Sequence, residues 1–193
     1  MRLGKDLINK PIYTLDEGKL LGKVQDLYLD DSLEVVLGLY LGAQGLVRRR
    51  SQLIRSGDVS VFGADAILVK NADVVTDDSE LTAAKEWLRR DKLAGRDVDT
   101  PGGTRLGQLG DVVVDAAGRI TAFAMWKVFV EGPLADKRVI DRSAVLYTGQ
   151  VDGRMTVDLS RLEAALINAA PLPPDSEDIP ITVEPPAPPV EKA

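Results

Sequence analysis

Alternation is the first clear pattern along the chain. Val35, Leu37, Leu39 and Leu41 alternate with Val36, Gly38 and Tyr40, and Leu27 and Leu29 alternate with Tyr28 and Asp30. A period of two sends successive side chains to opposite faces, so both runs predict strands with one apolar face. Asp30-Asp31-Ser32 stands between them and predicts a hairpin turn, because Asp and Ser side chains bond nearby backbone. Shorter strands are expected at residues 51–54, 59–62 and 67–69, each set off by a polar or Gly-containing turn. The period then changes. Leu81, Ala84, Trp87 and Leu88 fall at helical spacing with Lys85, Glu86, Arg89 and Arg90 opposite, which predicts a helix over residues 78–91.

The same pattern then starts again. Gly107, Leu109, Asp111, Val112, Val114, Asp115 and Ile120 stand 85 residues after Gly22, Val24, Asp26, Leu27, Leu29, Asp30 and Val35. Upstream the offset is 86, pairing Leu7 with Leu93, Ile12 with Val98 and Thr14 with Thr100; downstream it is again 86, pairing Ile54 with Ile140, Val59 with Val145 and Gly63 with Gly149. Self-similarity at one spacing marks a duplicated structural unit. The second copy predicts strands at 138–140, 145–148 and 155–157, then a helix opened by the capping box Ser160-Arg-Leu-Glu163 and stopped by Pro171. Many short strands joined by Gly turns favour a small closed barrel over an open sheet. The expected fold is therefore mainly β: two tandem small antiparallel β-barrels, each followed by a short α-helix. The domain boundaries are 1–77, a linking helix 78–91, 92–158, a C-terminal helix 159–170 and a tail 171–193.

Composition sharpens this picture at two places. All 17 glycines precede residue 170 and eight of the 11 prolines follow it, so the tail is chemically separate from the repeat. It holds five acids and one base, which accounts for most of the net charge of −6 and leaves the repeat near neutral. Pro185-Pro186-Ala187-Pro188-Pro189 favours polyproline II and suits either a solvated spacer or a segment that docks on an aromatic groove. The chain has no Cys and no His. That excludes disulfides, thiol nucleophiles, Cys/His zinc sites and His-based triads. The longest strongly apolar stretch, residues 35–47, is broken by glycines and too short for a membrane helix, which needs roughly 20 residues. No membrane span is expected, the N-terminus carries no signal-like apolar run, and the chain is expected to be cytoplasmic.

The repeated core, Gly22-Lys-Val24-Gln-Asp26-Leu27-Tyr28-Leu29-Asp30 and again Gly107 through Asp115, resembles the PRC-barrel family. An Arg-hydrophobic stretch before a final hairpin, Arg138-Val139-Ile140-Asp141, extends the likeness, which covers roughly residues 5 to 160. That family includes the cytoplasmic part of the photosynthetic reaction-centre H subunit and the C-terminal domain of a ribosome maturation factor. The resemblance implies a non-catalytic interaction or scaffold module with a protein partner; the two-barrel architecture separately allows a homodimer. The resemblance also implies, as an alternative, an RNA-linked or ribosome-assembly adaptor.

Candidate chemistry is sparse. Asp26, Asp30, Asp111 and Asp115 are the most regular carboxylates, but two Asp four apart on a strand lie about 13 Å apart, too far for one ion. Backbone capping at strand ends is the reading preferred for them. The Gly-rich runs 16–22 and 101–107 lead into strands and lack the Gly-Lys-Ser/Thr of a phosphate loop. A carboxylate-dependent enzyme needs a cleft that a filled small barrel does not offer. No catalytic residue, cofactor or metal is therefore assigned, and the chain is read as not an enzyme. Arg48, Arg49 and Arg50 form the sharpest charge cluster. They are the candidate partner contact, or else a solvated strand end paired with Asp58 or Asp65. The overall negative charge argues against a nucleic-acid partner. Residues 128–134 are apolar enough to suggest an exposed contact surface or a further strand.

Overall fold

The computed structural model describes residues 1–45, 50–150 and 153–168. The Pro-rich tail lies outside the described residues. The strands, in chain order, are β1 (Arg2–Leu3), β2 (Pro11–Thr14), β3 (Leu20–Lys23), β4 (Asp26–Leu29), β5 (Val36–Gln44), β6 (Arg50–Arg55), β7 (Val59–Phe62), β8 (Ile67–Val69), β9 (Thr76–Asp77) and β10 (Leu88–Arg89). They continue as β11 (Asp97–Asp99), β12 (Arg105–Val114), β13 (Ile120–Val128), β14 (Val139–Asp141), β15 (Val145–Tyr147) and β16 (Arg154–Val157). Two α-helices, α1 (Pro133–Lys137) and α2 (Leu159–Asn168), complete a mainly β architecture.

The chain divides into two compact units: Met1–Leu93 with Asp111–Thr121, and Ala94–Gly110 with Ala122–Ala193. The first holds a four-stranded sheet in the order β3-β2-β8-β7 and a five-stranded sheet in the order β10-β4-β5-β6-β9. Its core includes Leu27, Leu29, Leu39, Leu53 and Ile54, all fully buried. Strand β4 is buried on both faces; Val36 of β5 is buried, while Val35, Leu37 and Leu41 of the expected apolar face are half-buried. In the second unit, β11 pairs parallel with β16, as β2 does with β8, and β16 pairs antiparallel with β15. The order β12-β11-β16-β15 therefore repeats β3-β2-β8-β7. Phe123, Met125, Ile140, Met155, Leu162 and Leu166 are buried there.

Three expectations need correction. First, among the described residues no sheet closes into a barrel: each hydrogen-bonded order has two free ends. The strands are short and several ladders slip register, for example between Tyr40 and Gly42, so pairing ends before it can come full circle. Second, residues 78–91 are not an α-helix. They form a 3-10 turn (Thr82–Lys85) followed by β10, whose Leu88 and Arg89 pair with Leu29 and Tyr28 of β4. Here an edge strand in need of a partner overrides a helical pattern. Third, α2 is not capped by Ser160. Asp158 Oδ1 accepts from the Arg161 N–H at 3.1 Å, which places the N-cap two residues earlier. Within residues 128–134, Val128 closes β13 and Pro133 opens α1; Val128 and Leu134 are buried, and Glu131, Gly132 and Pro133 are exposed.

Candidate functional site: two clasped aspartates

Arg48 and Arg49 lie outside the described residues. Arg50 opens β6, more than half exposed, and pairs with Asp77 at 3.3 Å rather than with Asp58 or Asp65. The Asp77 carboxyl is held down at about 2, first by the Ser79 hydroxyl and then by the Ser79 N–H. These are exposed groups around a turn.

The repeat aspartates divide into two classes. Asp30 and Asp115 cap turns, as expected. Asp30 Oδ1 accepts from the N–H groups of Glu34 and Val35 at 2.8 and 2.7 Å, and Asp115 Oδ1 accepts from those of Ala117 and Arg119 at 2.8 and 2.9 Å. Asp26 and Asp111 are different: they are 2% and 3% exposed, near the start of β4 and within β12. A buried carboxylate needs a cation and a full set of donors, and both have them. Asp26 takes the Leu27 N–H at 2.9 Å on Oδ1, and on Oδ2 Arg89 Nε at 2.8 Å and the Asp91 N–H at 3.4 Å. Asp111 takes the Val112 N–H at 2.7 Å and Arg90 Nε at 2.6 Å on Oδ1, and the Lys5 N–H at 2.8 Å on Oδ2. Arg89 and Arg90 are neighbours in sequence, and each clasps one of the two carboxylates that the repeat places 85 residues apart.

Burial alone would lower the pKa of both arginines. Hydrogen bonding and charge from Asp26 and Asp111 outweigh it and hold both above the ordinary guanidinium value. The Arg89 guanidinium also lies 3.7 Å from the Tyr40 ring centre, and Tyr28 meets both Tyr40 and Trp87 edge to face at 5.8 and 5.7 Å. Burial pushes the Tyr28 phenol up. Every oxygen of Asp26 and Asp111 therefore has a donor, and no group of three or more His, Cys, Asp or Glu side chains gathers to hold a metal among the described residues. What this arrangement does chemically is hold backbone segments in place. Sequence reasoning singled out Asp26 and Asp111 but missed Arg89 and Arg90 as their partners, because a helical reading put both arginines on a solvated face.

A second set of residues stands out by exposure. Val61 on β7 is 46% exposed, and Leu146 and Tyr147 on β15 are 50% and 36% exposed. Both strands lie at the outer edge of their sheets, and residues 61 and 147 stand 86 apart. Leu20 on β3, the opposite edge of the four-stranded sheet, is also half exposed.

Residues 1–79 match the family model described as the PRC-barrel domain. No curated protein matches the chain. No helix among the described residues is long and apolar enough to cross a membrane.

Proposed function

We propose that the chain is a non-catalytic protein-interaction module built from two copies of a PRC-type domain and that it works in the cytoplasm. The family match over residues 1–79 and the recurrence of one strand order in the later sequence support the two-copy reading. The absence of cysteine fits a reducing compartment.

The observation that carries the interaction reading is the pair of edge strands β7 and β15. Each is the terminal strand of its sheet and carries exposed apolar side chains at corresponding positions. Native proteins usually blunt such edges with charge, proline or a covering element. An edge left apolar suits a partner strand that adds to the sheet, with main-chain hydrogen bonds for affinity and side chains for selectivity. The pairing of the repeated Asp26 and Asp111 with Arg89 and Arg90 supports a binding role over acid–base chemistry.

Photo-crosslinkers placed at Val61 and Tyr147 in the native cell test this, with exposed Glu163 on α2 as control. Covalent capture of a protein from the β7 and β15 positions and not from Glu163, lost on Val61→Lys or Leu146→Lys, is the expected result. Light scattering then distinguishes a second copy of the chain from a different protein. Labelling equal to the Glu163 control would sink the reading.

A further inference from the structure

We infer that residues 2–7 and 88–93 are reciprocal arms, each docked on the sheet of the other repeat copy. The inference rests on the two-copy reading above. It comes from comparing where each arm sits with the spacing of the repeat.

In sequence the arms correspond at an offset of 86: Arg2 with Leu88, Leu3 with Arg89, Lys5 with Asp91 and Leu7 with Leu93. Their docking strands correspond at 85: Tyr28 with Val113, Leu29 with Val114 and Asp26 with Asp111. If each arm stayed with its own copy, Arg2 would pair with Leu29 and Leu88 with Val114. The pairs formed are the opposite ones. Arg2 and Leu3 of β1 face Val114 and Val113 of β12, and Leu88 and Arg89 of β10 face Leu29 and Tyr28 of β4. The two pairings are one ladder register, used twice and crossed.

The backbone anchors are crossed in the same way, while the Arg90 guanidinium also reaches Asp111 of its own copy at 2.6 Å. The Lys5 N–H reaches Oδ2 of Asp111 in the second copy, and the Asp91 N–H reaches Oδ2 of Asp26 in the first. Each arm then enters a 3-10 turn, Gly4–Leu7 or Arg90–Lys92, and buries a leucine, Leu7 or Leu93. Between the copies the hairpin turns also meet at equivalent places. Val35 bridges Arg119, the Val36 N–H donates to the Gly118 carbonyl at 2.8 Å, and the Ile120 N–H to that of Glu34 at 2.7 Å. The acceptor beside each buried aspartate is thus an interaction surface. Its occupant is a short strand, followed by a turn that aims one N–H at a carboxylate, supplied by the other copy within the same chain.

Because the chain lacks cysteine, paired cysteines in the full-length protein can read this directly. Directly opposed residues of an antiparallel ladder have Cβ atoms about 5 Å apart, close to disulfide reach. Arg2→Cys with Val114→Cys, and Leu29→Cys with Leu88→Cys, are expected to close intramolecular disulfides in a monomer under mild oxidation. Arg2→Cys with Leu29→Cys, and Leu88→Cys with Val114→Cys, are expected to stay reduced. Closure of this second set instead would overturn the exchange while leaving two copies and the edge-strand reading untouched. Disulfide-linked dimers from the first set would overturn it as well, by showing the arms to be exchanged between chains. Amide hydrogen exchange gives a readout that spares the buried leucines. Asp111→Asn is expected to speed exchange at Lys5 more than at Asp91, and Asp26→Asn the reverse. The inverse pattern would refute crossed anchors.

Discussion

Gly4 shows how closely single residues are specified around the clasp. Its φ is not in the left-handed region, so the demand is for space alone. A Cβ there would stand 2.8 Å from Asp111 Oδ1, 2.9 Å from Val112 Cγ2 and 3.0 Å from Arg90 Nε. The corresponding position in the other arm is Arg90 itself, so glycine leaves room for that guanidinium. Gly4→Ala is expected to cost about 1–3 kcal/mol, the range for overpacking a filled site. Gly57→Ala, with nothing within 4 Å of the added Cβ, is expected to change stability little or raise it slightly. Urea midpoints at unchanged slope compare the two. The aspartates are the other sensitive points at this scale. Asp26→Asn or Asp111→Asn keeps the shape but leaves Arg89 or Arg90 without its counter-charge. Breaking a buried pair from one side costs about 3–5 kcal/mol, so each variant is expected to unfold at much lower denaturant. Exposed pairs such as Arg161 with Asp158 are expected to contribute well under 1 kcal/mol, and a double-mutant cycle would separate the two classes.

At the scale of elements, helix α2 offers a direct comparison of what the sequence suggests with what forms. Ser160-Arg-Leu-Glu163 reads as a capping box, yet Asp158 accepts the Arg161 N–H and starts the helix at Leu159. Asp158→Ala is expected to lower stability by about 1 kcal/mol and Ser160→Ala to leave it nearly unchanged, as thermal unfolding would show. The alternating runs, at a period of two, marked β4 and β5 as strands, although β4 is buried on both faces and the expected face of β5 is not the one most buried. Ile67–Val69 and Val59–Phe62 form where that period places them. Segments whose state depends on a distant partner were not legible. Leu88 and Arg89 carry a helical spacing, but their strand exists because β4 offers an open edge and Asp26 a buried charge. The sequence holds one signal that could have found the arms. Lys5 and Asp91 correspond within the repeat, and a position that recurs together with a buried aspartate is a candidate for touching it. Which of the two aspartates it touches is a property of the folded chain, because either pairing satisfies the same local chemistry.

For the molecule as a whole, the absence of histidine makes pH a sharp test of where its stability comes from. With no side chain whose ordinary pKa lies between about 5.5 and 6 and no histidine, stability is expected to be flat from about pH 5.5 to 7. The raised arginines do not alter this. A group with an elevated folded pKa contributes below its unfolded pKa and loses that contribution only as pH rises through the folded value, far above this range. The depressed carboxyls act at the other end. The Asp115 carboxyl is lowered, first by the Arg119 N–H. Burial pushes Asp97 up, but Gln108 and Arg105 outweigh it and leave it lowered, and Asp77 sits at about 2. Such groups stabilise above their unfolded pKa of about 4, and that stability is lost as pH falls through the folded value. Denaturant midpoints should therefore hold steady from pH 7 to about 5.5 and then fall progressively below pH 4. Asp77→Asn should flatten the most acidic part of that fall and leave the plateau unchanged.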